Sequence, residues 1–312
     1  IDNAIIEYTG GQVIEGSPAA TAGIYTAGDD AYPHITTTNI NGKYVITNSI
    51  LRYGWSDGIY LMGGSAIISN NTFAANGYDG AEAVNIKAGV KVDIAQNIMF
   101  SPNTNGLKLS SSGQSETRGQ AVVNAYNNVI INAGWRRDGE KGGCIYVEKN
   151  CLANVVYNLM VNCKFRAMTP NYNNPNSPDA GFDDKSVIDY NMYVSGTQKS
   201  SIVYPEESNV GYAYEGYNYN HKSYNPNIDV NSVIVTQDNL IDPQFVNFDI
   251  NAVSLTDYVY NSSWDFHLKE GSPALNVNQI SITPSFINGI EINEKIYQSP
   301  ELKPYYGALG TK

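Results

Sequence analysis

The sequence predicts an all-β chain wound as a right-handed parallel β-helix, a solenoid with a long tyrosine-rich excursion and a C-terminal cap. Three observations predict it. An asparagine followed by an apolar triplet returns along the first two thirds of the 312 residues. A second short strand, closed by a turn, precedes most of these repeats. No stretch between them shows the roughly 10–15-residue helical pattern that a parallel sheet built from βαβ units requires.

Taken in order, the first element is the repeat itself: "NAII" at Asn3, "NSIL" at Asn48, "NTFA" at Asn71, "NIMF" at Asn97, "NVII" at Asn128, "NLMV" at Asn158 and "NMYV" at Asn191. A unit this short cannot bury its own apolar face, but a stack of them can. Asparagines at one corner of every coil then form a ladder, each side-chain amide bonding to the next and to the turn backbone. The intervals vary because loops of different length leave fixed corners. The second element is "GIYLMGG" (58–64), "AVNIKAG" (83–89), "GLKLSSSG" (106–113) and "GCIYVEKN" (143–150), with "FRAMTP" (165–170) in the same place one coil later. A propeller would need four strands per roughly 40–50-residue blade, and a doubly wound fold would need helices.

The chain reads as one domain: regular coils over 1–196, the excursion over 197–239, and final coils with a cap over 240–312, the cap covering strand edges that would otherwise invite association. The excursion holds Tyr204, Tyr212, Tyr214, Tyr217, Tyr219 and Tyr224. Such rings stack on sugars or pack a loop onto its body, and both roles stay open. The opening "IDNAIIEYTGG" is strand-like from Ile1, so an earlier segment carrying a signal or lipid anchor is expected.

A net charge of −11 and a pI near 4.7 argue against nucleic acid, which needs basic faces, and against adhesion to anionic membranes. The chain has no apolar run long enough to span a bilayer. Cys144, Cys151 and Cys163 have no zinc spacing; they read as buried thiols, with one bridge between two of them left open. Abundant Asn, Gly, Ser and Tyr give an extracellular cast.

Period-two alternation assigns Ile59/Leu61, Val84/Ile86, Leu107/Leu109 and Ile145/Val147 to the core. The outward set is Tyr60/Met62, Asn85/Lys87, Lys108/Ser110 and Tyr146/Glu148, and the same parity puts Phe165 inward and Arg166 and Met168 outward. "RRDGEK" leads into the strand at 143, which puts Arg136 and Arg137 on the rim of that face. Lysine, tyrosine and arginine stacked this way suit proton abstraction from a uronic acid, where a cation neutralises the carboxylate and a base takes the C5 proton. Alternatively they form a glycan-binding face, or a solvated sheet face with weak ion pairs. The adjacent acids Asp29–Asp30 and Asp183–Asp184 sit in loop text and read as turn caps; Asp179, Asp183 and Asp184 leave calcium open as a cofactor.

The asparagine ladder, followed by "DPQF", "DFHLKEGSPAL" and "YGAL", resembles secreted right-handed parallel β-helix proteins of Bacteroidetes, in the superfamily of pectate lyases and chondroitinase-B-like lyases. The resemblance covers nearly the whole chain. It implies a role with polysaccharide or oligosaccharide outside the cell or on the outer-membrane surface. Three forms of that role are expected: a glycan-binding component of a nutrient-uptake system, a polysaccharide lyase, or an accessory lipoprotein docked on an outer-membrane transporter. The chondroitinase-B-like group sets a lysine base and an arginine on successive coils. Arg166 in "CKFR" matches the arginine by position, with Lys108 or Lys149 for the lysine and Tyr146 beside them. Lys149 falls at the turn, the group's calcium-binding carboxylates lack convincing spacing, and the pectate-lyase arginine motif is absent.

Overall fold

The computed structural model describes residues 1–23, 26–29, 31–78, 80–138, 142–169, 181–198, 225–235 and 240–312. Among the described residues, three parallel sheets of eight, six and five strands run along one solenoid, so the chain is a parallel β-helix. A complete coil contributes one short strand to each sheet in turn: Ile59–Leu61, Gly64–Ser69 and Thr72–Ala74 make one coil, and Val84–Ile86, Val90–Ala95 and Ile98–Phe100 make the next. Like residues pair on successive coils, for example Met99 with Phe73 on one side and Ile130 on the other.

The corners explain why the chain turns where it does. Asn71, Asn97, Asn128, Asn158 and Asn191 form an uninterrupted ladder, each side-chain oxygen accepting the backbone N–H of the preceding rung at 3.0 Å. Each side-chain amide nitrogen also donates to a carbonyl of the strand before it, as Asn97 does to Ile68 at 3.0 Å and Asn128 to Ile94 at 2.9 Å. The residue just before the ladder position takes left-handed backbone, with φ of 57° at Gln96, 50° at Asn127 and 56° at Tyr157. The first two rungs correct the sequence reading. Asn48 is the left-handed residue, and the ladder place belongs to Ser49, whose Oγ accepts from Ala4 N–H at 3.1 Å. Ser232 ends the ladder by accepting from Asn191 N–H at 2.9 Å.

Ile59, Leu61, Val84, Ile86, Leu107, Leu109, Ile145 and Val147 are all fully buried in the main core, as period two predicts. Cys144, Cys151 and Cys163 are buried free thiols, and burial pushes those of Cys144 and Cys151 up.

Residues 240–312 correct the expectation of final coils. The last coil strand is Val233–Ile234, inside the segment read as excursion. The later strands form two antiparallel pairs, Phe245–Asn247 with Asp265–Leu268 and Ile290–Ile292 with Lys295–Tyr297. They belong to a strap that runs back along the outside: Tyr157 Oη donates to Asn278 O at 3.0 Å, Tyr126 Oη to Pro300 O at 2.5 Å, and Ile290 packs on Val45 and Ile67. The tyrosines at 204, 212, 214, 217, 219 and 224 lie outside the described residues, as does Asp179.

Candidate functional site

The five-stranded sheet carries the face that the alternation predicts. Its register places Tyr60 opposite Asn85, Asn85 opposite Lys108, Lys108 opposite Tyr146, and Tyr146 opposite Met168. Two residues on, Ser110 pairs with Glu148. Coils about 4.8 Å apart bring these side chains into contact. Lys87 Nζ lies 5.4 Å from the Tyr60 ring centre, Lys108 Nζ lies 5.7 Å from that of Tyr146, and Lys108 Nζ is 3.6 Å from Glu148 Oε1. Burial, then the neighbouring Lys108, holds the Lys87 ammonium below the ordinary lysine range. The strip ends at Met168, which is buried with Trp135, Phe165 and Leu255 on the outer side of the coil.

Arg166 is not on this face. It is only 9% exposed, and its charge acts on the fully buried Asp229 and Tyr193 in the interior. Phe165 takes the outer place instead. The reason is local. Residues 164 and 165 bend and 166 and 167 belong to no strand, so a parity counted through them fails until Met168 rejoins the sheet. Lys149 and Asn150 both have left-handed backbone, φ 53° and 56°, and turn the chain off the end of the strip.

The arginines of "RRDGEK" serve two purposes. Arg136 is a staple: it donates to Gly77 O at 2.9 Å, Asn76 O at 3.1 Å, Ser101 O at 2.7 Å and Ser101 Oγ at 3.2 Å. Burial pulls its guanidinium down to about 10. Arg137 reaches the neighbouring loop, where a Cβ built on Gly80 would stand 3.8 Å from its Nη1. The buried Lys164, pulled down to about 7 by burial, donates to Arg137 O at 2.7 Å and fixes this loop.

At the other end of the strip lies a feature that the sequence reading passed over. Counting back two residues from the paired Ile59, Val84 and Leu107 puts Asp57, Glu82 and Asn105 in one column at the head of three successive strands. The backbone ladder continues through them, with Gly58 N–H on Glu82 O at 3.0 Å and Ala83 N–H on Asn105 O at 3.1 Å. Asp57 and Glu82 are both buried and stand beside each other. Asp57 Oδ1 also accepts from Glu82 N–H at 2.6 Å, while Glu82 Oε2 and Oε1 accept from the amides of Asn85 and Asn105, each at 3.1 Å. Burial first, and the Glu82 charge second, raise the Asp57 carboxyl well above the carboxylate range. Burial and the same two carboxylates raise the Tyr60 phenol.

This pair lines a cleft of about 500 Å³ whose wall includes Trp55 and Tyr78. The two rings are 41% and 70% exposed, with centroids 4.5 Å apart and planes tilted by 31°. Their loops are stacked, Tyr78 N–H on Trp55 O at 2.9 Å, and Asn103 Nδ2 holds the Tyr78 carbonyl at 3.1 Å. Gly58 permits the close approach of the coils beneath, since a Cβ there would meet Ala83 O at 2.5 Å. The signal in the sequence is a polar residue two places before the first core residue in three successive coils, "DGI", "EAV" and "NGL", legible once the coils are aligned on one another.

Among the described residues no group of three or more histidine, cysteine or acidic side chains is placed to hold a metal ion. Asp183 caps its own turn, accepting from Lys185 N–H at 2.9 Å and from Gln120 Nε2 at 2.8 Å. Compared with known proteins, the chain matches no family model, no curated protein and no solved structure.

Proposed function

We propose that this β-helix binds a polysaccharide or oligosaccharide along the strip that runs from the Trp55–Tyr78 cleft past Tyr60, Lys87 and Lys108 to Tyr146. The observation that carries this reading is the exposed aromatic pair sharing one cleft with a buried carboxyl pair. Sugar rings offer apolar C–H faces to aromatic planes and hydroxyls to fixed polar groups, and the cleft offers both. The rings cannot be explained as core, because more than a third of each is open to water. The extended strip suits a chain of sugars rather than a single small molecule.

The test is affinity electrophoresis and calorimetry of the intact chain against a panel of neutral, amino and uronate polysaccharides. At least one is expected to bind, and Trp55→Ala and Tyr78→Ala are each expected to weaken it roughly tenfold, about 1.4 kcal/mol. Binding that ignores both variants overturns the reading. Absorbance near 235 nm, which rises when a uronate polymer is cleaved by elimination, separates a binder from a lyase.

A further inference from the structure

The hydrogen bonds around the carboxyl pair show which sugars the cleft accepts. The donors that touch the carboxyl pair are already used. The amide nitrogens of Asn85 and Asn105 are on Glu82, and the Glu82 N–H is on Asp57. What remains are acceptors. Asn85 Oδ1 and Asn105 Oδ1 have no hydrogen-bond partner, although the two residues are only 5% and 4% exposed. Asn85 stands at an outward register position between Tyr60 and Lys108, with its nitrogen on the cleft residue Glu82. Buried acceptors left unpaired are costly, so a group that fills this place must bring donors. A hydroxyl or an ammonium does; a carboxylate brings only further acceptors.

Charge points the same way. Asp57 and Glu82 set buried acidic side chains in the cleft wall, where repulsion of an anion is stronger than in water. Asp29 adds another acid to the cleft wall. The two lysines of the face are engaged elsewhere: Lys108 faces Glu148, and Lys87 lies over Tyr60. The aromatic pair suits a sugar face and gains from a cation above it.

We infer that the Asp57–Glu82 cleft is a binding subsite for a non-anionic saccharide, a neutral or amino sugar, and that it discriminates against uronic acids. This rests on the glycan-binding reading above and narrows its substrate class. Neutral and amino sugars share the donor chemistry, and the experiment separates them.

The experiment measures dissociation constants of the intact chain for neutral, amino and uronate oligosaccharides of equal length. Neutral or amino oligosaccharides are expected to bind at least tenfold tighter than uronates. Glu82→Gln is expected to reduce that binding at least tenfold and to abolish any preference for the amino sugar over the neutral one, while Lys269→Ala, an exposed position outside the strip, changes it less than twofold. Trp55→Ala, an exposed position whose loss leaves the core intact, is expected to reduce the same binding and guards against misfolding of the Glu82 variant. Uronates binding as tightly as the others, or binding that ignores both Glu82→Gln and Trp55→Ala, overturns the inference. Uronate binding that is lost in Lys108→Ala but kept in Glu82→Gln overturns it while leaving the glycan-binding reading intact. If none of the three classes binds, both fail.

Discussion

A single asparagine at a coil corner satisfies three backbone groups, and this makes the ladder both legible and vulnerable. Asn128 is fully buried; its side-chain oxygen takes the Asn97 N–H, and its nitrogen donates to Ile94 O and Tyr126 O. Asn128→Ala leaves these groups buried and unpaired, and is expected to destabilise the chain by about 2–4 kcal/mol in chemical denaturation. Asn128→Ser is expected to lose less, because Ser49 and Ser232 already show that a hydroxyl can receive the N–H of the preceding rung. The same economy explains why the first two corners were misread. Asparagine also tolerates left-handed backbone, so Asn48 at φ 51° looked like a rung when it was the turn before one. Asp229 is a second residue with a measurable signature. It is fully buried, accepts from the Tyr193 hydroxyl at 2.9 Å and from Ser232 Oγ at 2.8 Å, and burial raises its carboxyl to about 6. Between about pH 4 and 6 the native state keeps a proton that the unfolded chain releases, so the stability contributed by Asp229 falls as pH rises through that window, by up to about 3 kcal/mol. Denaturation midpoints measured across it are expected to show that slope in the parent chain and to lose it in Asp229→Asn; equal slopes in both would contradict the assignment.

At the scale of the element, alternation was readable wherever the strand was regular and failed where it was not. The eight core positions of the display sheet and the outward column Tyr60–Asn85–Lys108–Tyr146 follow from period two alone, because a pleated strand with one buried face has no other register. Arg166 was misplaced because the irregular stretch at 164–167 breaks the count, and nothing in "CKFR" announces that break. Asp57 and Glu82 escaped notice for a different reason. Each is a lone acid before a small residue, and only the stacking of coils brings residues 25 positions apart into contact. Arg136, expected at the rim as a ligand, instead holds the loop that carries Tyr78 by bonding the carbonyls of Asn76 and Gly77. Arg136→Ala is therefore expected to weaken glycan affinity without touching the glycan, and to speed amide hydrogen exchange over residues 76–81. Arg136→Lys is not expected to rescue it, since one ammonium cannot replace a planar fork that bonds two neighbouring loops. Exchange left unchanged in Arg136→Ala would show that the staple is dispensable.

For the whole molecule, the C-terminal strap changes how a solenoid behaves. A stack of coils with only nearest-neighbour contacts opens from its ends and loses cooperativity with length. Here the chain returns outside the stack and ties distant coils together, with Asn127 Nδ2 on Tyr305 O at 2.6 Å and Tyr157 Oη on Asn278 O at 3.0 Å. Asp93 is the central fastening. It is fully buried and accepts from Ser285 N–H at 3.1 Å, Phe286 N–H at 3.0 Å, Ser299 Oγ at 2.5 Å and the Asn124 amide at 2.7 Å. Beyond it the hairpin at 290–297 lays Ile290 on Val45 and Ile67, which closes the outer side of the early coils. Asp93→Ala removes one side chain from a strand that keeps its backbone ladder to both neighbours, so the coils should survive while the strap loses its anchor. The orphaned donors of Ser285, Phe286 and Ser299 then gain by turning to water, and the hairpin leaves with them. Limited proteolysis read by mass spectrometry is expected to cut Asp93→Ala between residues 283 and 300 under conditions that leave the parent chain whole, with the coil fragment persisting. Thermal unfolding is expected to broaden or split into two transitions as the early coils lose their tie to the later ones. A variant that resists cleavage there and still unfolds in one sharp transition would show that the strap is held by its apolar contacts and not by Asp93.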